Sequence, residues 1–94
     1  MVSIDKELDA AKAAQTVIDV LLTTATPKSA VSATLRTANT AAVLNLGSGG
    51  ALNEARVNVG IALSSLLDRP PTPERIEKAK AAIDAWIKEL ERSQ

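Results

Sequence analysis

Cysteine, histidine, phenylalanine and tyrosine are all absent from this chain. Without cysteine there is no disulfide framework, zinc–thiolate site or thiol nucleophile. Without histidine the commonest general base and the commonest metal ligand are gone. Trp86 is the sole aromatic, so no stacking platform for single-stranded nucleic acid can be built. A surplus of charge is missing too. Eleven basic residues balance eleven acidic ones, whereas nucleic-acid and anionic-membrane partners usually leave a basic excess. No uncharged apolar run approaches the ~20 residues of a membrane-spanning helix. Asp5, Glu7 and Asp9 interrupt the first nine residues, so no signal peptide is expected. The chain therefore reads as soluble, and cytoplasmic if natural, with no nucleic-acid partner, no membrane and no cofactor. Its 94 residues allow one domain with a thin stability margin.

What is present is helical punctuation. Breaks at Thr26-Pro27, Gly47-Ser48-Gly49-Gly50 and Pro70-Pro71-Thr72-Pro73 divide the chain into four segments. In two of them threonine stands just before proline. Threonine caps a helix with its hydroxyl, and proline suits the first helical position, where its missing N–H is no loss. Ser3 is the corresponding cap for the first helix, and the glycine run is expected to close the second at its C′ position. The spacing predicts helices at about 3–24, 27–46, 51–68 and 73–92. Near-equal helices joined by short loops make antiparallel neighbours. The expected fold is all-α, an up-down-up-down antiparallel four-helix bundle occupying 1–94.

Heptad spacing agrees. Ile4, Leu8, Ala11, Gln15, Ile18, Leu22 and Ala25 step by four and three, as do Val31, Leu35, Ala38, Ala42 and Asn45. The third stripe is Leu52, Ala55, Val59, Ala62 and Leu66, widened by Leu63 and Leu67. The fourth is Ile76, Ala79, Ile83, Trp86 and Leu90, flanked by Ala82 and Ile87. Charge is uneven. Between Val20 and Asn53 only Lys28 and Arg36 are charged, and Val43, Val57 and Ile61 project outward on the wheel. That face reads either as a contact surface or as an ordinary Ala/Thr surface with scattered apolar residues.

Polar residues at inward positions are the second departure from a plain bundle. Gln15, Thr34 and Asn45 point inward by heptad phase, and Arg56 lies at the edge of the inward arc. Each is costly unless its hydrogen bonds are met. They read as registry devices or as donors for a ligand, and Arg56 has the further option of lifting its head group to solvent along its stem. Gln15 and Thr34 fall at nearly one level, within about a turn of Ala11, Ala14, Ala38, Val59, Gly60, Ala82 and Ile83. Gly60 costs a helix interior about 1 kcal/mol relative to alanine, so something approaches that backbone closely. Either a neighbouring helix closes in or a bound molecule fills the space. Trp86 points inward about a turn below, near the level of Arg56.

Catalysis has little behind it. Asp19 flanks the core and is the one candidate for a desolvated base, while Glu7 lies on the inward arc near an open end. Neither has a second catalytic group at convincing spacing. Ser64 and Ser65 lack a base, and the glycine run lacks the Lys-Ser/Thr of a phosphate loop. No metal site is expected, for want of histidine, cysteine or a core carboxylate cluster.

The fourth segment, from Thr72-Pro73-Glu74 through Leu90, combines strong helix formers, a capped start and dense mixed-sign charge, and Ser3-Ile4-Asp5-Lys6-Glu7-Leu8 reads similarly. In this the chain resembles de novo designed four-helix bundles. Its middle departs from that style, since Asn39, Asn45, Asn53, Asn58, Gly60 and repeated threonines are poor helix formers. That pattern is similar to designed bundles built around a buried small molecule. The resemblance implies a ligand-binding bundle, and an enzyme built around a carboxylate such as Asp19 is the least favoured reading, for want of a second catalytic group. Its mid-bundle pocket would be lined by Gln15, Thr34, Ala38, Gly60, Trp86 and Arg56, and would hold a neutral, mostly apolar ligand. The alternative is a protein-interaction or self-assembly module using the low-charge faces of helices two and three. A monomer is the first expectation, and a homodimer through those faces is the variant.

Overall fold

The computed structural model describes residues 3–24, 29–47, 50–68 and 72–93. Expectations at Ala25, Thr26-Pro27, Lys28, Ser48-Gly49 and Pro70-Pro71 lie outside the described residues, as do the side chains of Leu22 and Val31. The helices are α1 (Ile4–Thr24), α2 (Ser29–Leu44), α3 (Ala51–Asp68) and α4 (Pro73–Arg92). They form an up-down-up-down antiparallel bundle in which α1 packs on α2 and α4, and α3 packs on the same two. The backbones of diagonal helices stay apart among the described residues, and α1 and α3 meet through the side chains of Glu7 and Arg56. The bundle measures 34 × 20 × 20 Å.

Local chemistry sets the helix ends. The Ser3 hydroxyl accepts the Lys6 N–H at 3.3 Å, and the Ser3 carbonyl accepts the Glu7 N–H at 2.9 Å. Thr72 is extended (φ −111°, ψ 155°), and its hydroxyl accepts the Arg75 N–H at 3.3 Å, with Pro73 opening α4. Both are N-caps that satisfy otherwise orphaned donors. The C-terminus of α4 closes on Ser93, whose N–H donates to the Glu89 and Leu90 carbonyls.

The end of α2 differs from the sequence expectation. The helix stops at Leu44 and tightens into a turn through Asn45 N–H to Ala42 O at 3.3 Å and Leu46 N–H to Val43 O at 3.2 Å. The glycine run follows only after that turn, so it does not supply the C′ residue. Asn45 is instead drawn inward, where both its amide and its carbonyl find partners in the core. Gly50 adopts φ +109°, a conformation that side chains rarely accept, and its carbonyl takes the Glu54 N–H at the start of α3.

The core follows the four stripes with one rotation. Ile76, Ala79, Ile83, Trp86, Ile87 and Leu90 are buried on α4, and Ala55, Arg56, Val59, Leu63 and Leu66 on α3. On α1 the inward arc is centred on Glu7, Ala11, Ala14, Ile18 and Leu21. Ala14 therefore occupies the interior, and Gln15 turns to the rim. At mid-height Ala11, Ala14, Ala38, Val59, Ala79 and Ile83 have no exposed surface. A water-sized cavity touching any of them would expose it, so the helices close in on their small side chains.

Gly60 sits in the α2–α3 crossing. A Cβ added there would lie 3.5 Å from Asn39 Oδ1 and 3.9 Å from Val43 Cγ2, both ordinary contacts. Gly60→Ala should therefore keep its place and raise stability by up to about 1 kcal/mol through helix propensity. Chemical denaturation of the two proteins checks this. A loss of stability would show that the crossing needs the bare backbone.

Candidate functional site

One end of the bundle holds a buried carboxylate shared by all four helices. Glu7 lies in the first turn of α1, Arg56 early in α3, Trp86 late in α4, and Asn45 just past α2. Because α1 and α3 run opposite to α2 and α4, these four positions meet at one height. Glu7 has no exposed surface, Trp86 has none, and Arg56 and Asn45 are buried.

The geometry is saturated. Glu7 Oε2 accepts from Arg56 Nε at 2.7 Å and from Trp86 Nε1 at 2.7 Å. Glu7 Oε1 accepts from Arg56 Nη2 at 2.8 Å and from Asn45 Nδ2 at 2.7 Å. Arg56 Nη1 turns to the Asn45 carbonyl at 2.9 Å. A carboxylate offers about four lone-pair sites, and all four are taken. The Arg56 contact is bidentate and charge-assisted, which strengthens it and fixes its direction. Burial alone pushes the Glu7 carboxyl up. The hydrogen bonds from Arg56, Asn45 and Trp86, with the Arg56 charge, outweigh burial and hold it below the ordinary value of 4.5. No oxygen is left for a substrate, a metal or a proton relay. The site positions helices.

This arrangement corrects two sequence expectations. Arg56 does not raise its head group to solvent, because Glu7 and the Asn45 carbonyl satisfy it inside. Glu7 does not stand at an open end, because Trp86 and Arg56 close over it. Asp19 is corrected as well. It is exposed on the α1–α4 rim and accepts from Lys80 Nζ at 3.2 Å, so it is not a desolvated base. Beside it, Gln15 Nε2 donates to Asp84 Oδ1 at 2.8 Å.

Of the six residues read as pocket lining, the structure brings Arg56 and Trp86 together on Glu7. The other four are not brought to a common space. Gln15 is on the α1–α4 rim, Thr34 is half-buried on α2, Ala38 is sealed in the core, and Gly60 lies in the α2–α3 crossing. Two surface grooves are present elsewhere. One runs between α3 and α4 past Asn58, Ile61, Ser65, Arg75 and Lys78, and the other lies between α1 and α2 past Lys6, Ala10, Arg36, Thr37 and Thr40. Neither includes any of the six. Among the described residues no group of acidic side chains could hold a metal ion, and no helix is long and apolar enough to cross a membrane.

The other marked feature is an outer face. Val43, Leu44, Leu46, Val57 and Ile61 are exposed on or beside α2 and α3, Ile61 at 66% and Leu44 at 57%. The exposed charges on these two helices are Arg36, Glu54 and Asp68. Val43 lies against Gly60, and Val57 and Ile61 flank it in sequence on α3. Asn39 Oδ1, at the same place, is buried with no hydrogen-bond partner. It would lie 3.5 Å from a Cβ added at Gly60.

The Glu7 site carries a pH dependence of definite sign. Its folded pKa is lowered, so its contribution to stability is complete above the ordinary glutamate value of 4.5. It is lost as pH falls through the folded value. A carboxyl-detected NMR titration should place the Glu7 midpoint below 4.5. The unfolding free energy of Glu7→Gln should vary less with acid than that of the parent. A Glu7 midpoint above the ordinary value would mean that burial dominates and the network is open.

No family model matches the chain, and no curated protein or solved structure matches it, so its function rests on the geometry alone.

Proposed function

We propose that this chain is a helical protein-interaction module whose contact face is the outer side of α2 and α3. The single observation that carries the reading is the division of the surface. Among the described residues, five of the six exposed large apolar side chains lie on or beside α2 and α3. These are also the helices with few outer charges, whereas α4 carries Glu74, Glu77, Lys78, Asp84, Lys88 and Glu91 on its solvent side. A contact face is depleted of charge and enriched in apolar side chains at its centre. The network at Glu7 supports the reading indirectly, since it holds α2 and α3 in one register and presents a rigid face.

The small-molecule reading has less behind it. Its mid-height layer is closed by alanines with no exposed surface, and its polar residues are engaged at the rim or on Glu7. No specific observation favours it over the face.

The test uses paired variants. Val43→Lys with Val57→Lys, both exposed, should leave the unfolding free energy within about 0.5 kcal/mol of the parent. An apolar fluorescent dye should bind the folded parent at high dilution and bind the double variant markedly less. The matched control, Ala13→Lys with Ala85→Lys, changes exposed positions of α1 and α4 and should leave dye binding unchanged. Equal loss in both pairs, or in neither, would sink the assignment of the face.

A further inference from the structure

We propose that the groove between α3 and α4 binds a small amphipathic monoanion, a carboxylate carried on an apolar body. The site is separate from the closed mid-height layer of the core. It shares only Ile61 with the outer face of α2 and α3, and it stands independently of that reading.

The order of residues along the two helices supplies the argument. Arg56 of α3 and Trp86 of α4 both reach Glu7, which marks one end of the bundle. Moving away from that end, the groove is lined on α3 by Asn58, Ile61 and Ala62, and on α4 by Ala82, Lys78 and Arg75. Past Asn58 the near half is apolar. Ile61 is 66% exposed, and Ala62 and Ala82 are half-buried. The far half is cationic. Lys78 is four residues and Arg75 seven residues from Ala82, about 6 and 10 Å further along α4. Helix side chains lean toward the N-terminus, which for α4 is the far end, so both charges are carried away from the apolar floor. The groove offers about 910 Å³, within the range of small-molecule sites.

Charge selects the occupant. Among the described residues Lys78 has no carboxylate within ion-pair distance, so Glu74, one turn before it, does not hold it. Glu74 is the one acidic side chain lining the groove, against Arg75 and Lys78. The far half therefore carries one positive charge in surplus, in a chain whose eleven acidic and eleven basic residues cancel. A single negative charge balances it. A cationic head is repelled, and a neutral one forgoes the attraction. The apolar floor in turn favours a body that covers it from water.

An NMR titration of the backbone amides with octanoate tests this, with octan-1-ol and acetate as the body and the head alone. Octanoate should move the amides of Ile61, Ala62, Lys78 and Ala82 along one saturating curve. Octan-1-ol should bind there about fivefold more weakly, the worth of one exposed ion pair. Acetate, with no body to cover the floor, should not saturate over the same range. Lys78→Gln should weaken octanoate about fivefold and leave octan-1-ol unchanged. Lys88→Gln, at an exposed position of α4 outside the groove, should change neither. Ile61→Ser should weaken both ligands. All three changes are at exposed positions, and the far-ultraviolet circular dichroism of each variant should match the parent. Octan-1-ol binding as tightly as octanoate, or indifference to Lys78→Gln, would overturn the anionic assignment. Groove amides that do not move would overturn the site. Movement confined to Val43 and Val57 would overturn it too, and would leave the outer face of α2 and α3 standing.

Discussion

The carboxylate of Glu7 is the constraint on which the rest of this bundle depends. An ionised side chain with no solvent contact is tolerable only if its hydrogen-bonding capacity is filled. Filling it takes one group from each of the other helices or their ends: the Asn45 amide, the Arg56 guanidinium and the Trp86 indole. Each is fixed in height and in rotation by that demand. A slip of α2, α3 or α4 by one residue turns its donor away and leaves a buried charge without a partner. Apolar seams of alanine and leucine hold helices together but discriminate weakly between registers. The polar cluster discriminates strongly, as a buried asparagine does in a coiled coil. Net stabilisation by a buried ion pair is small or absent, so this cluster's role is to select one arrangement.

With register fixed at one end, small side chains suffice in the middle. Ala11, Ala14, Ala38 and Ala79 have no exposed surface, which means the helices approach closely there and leave no water-sized space. Closeness does not demand Gly60, since a Cβ there would meet Asn39 and Val43 of α2 at ordinary contact distances. The crossing of α2 and α3 has room for a methyl at Gly60 and exposes Val43 and Val57 on its outer side. The charged residues of the molecule are concentrated on α1 and α4, where Lys80–Asp19 and Gln15–Asp84 link the rim. This leaves one weakly charged side, the property on which the proposed function is built.

The fold was legible because its signals are local. Thr72-Pro73 and Ser3 act as caps, and the α4 stripe from Ile76 to Leu90 is buried throughout. The outward placement of Val43, Val57 and Ile61 was equally readable from the wheel. The polar site was not, although its parts were in view. Glu7 stood on the inward arc, Asn45 on a seam, and Trp86 needed an N–H acceptor near the level of Arg56. Stepping each helix from its own end by rise per residue places all four within about two turns of the same end of the bundle. What obscured it was the phase of α1. A strict four-three heptad puts Gln15 inside, whereas the observed arc turns to favour Glu7 and Ala14. The periodicity of apolar residues cannot see this, because the residue that sets the phase is a glutamate. The end of α2 was misread for the same reason, since Asn45 answers to Glu7 and Arg56 and not to the glycine run.

A double-mutant cycle on Glu7 and Arg56 tests the central claim most directly. Glu7→Gln, Arg56→Gln and the double variant would be unfolded in urea beside the parent, at neutral pH. Each single change strands a buried polar group and should cost about 3–5 kcal/mol. The double change should cost clearly less than the sum of the two, with a coupling of about 2 kcal/mol or more. A coupling near zero, with the single costs simply adding, would show that the carboxylate and the guanidinium do not act as one unit, and would contradict the account of how this bundle chooses its register.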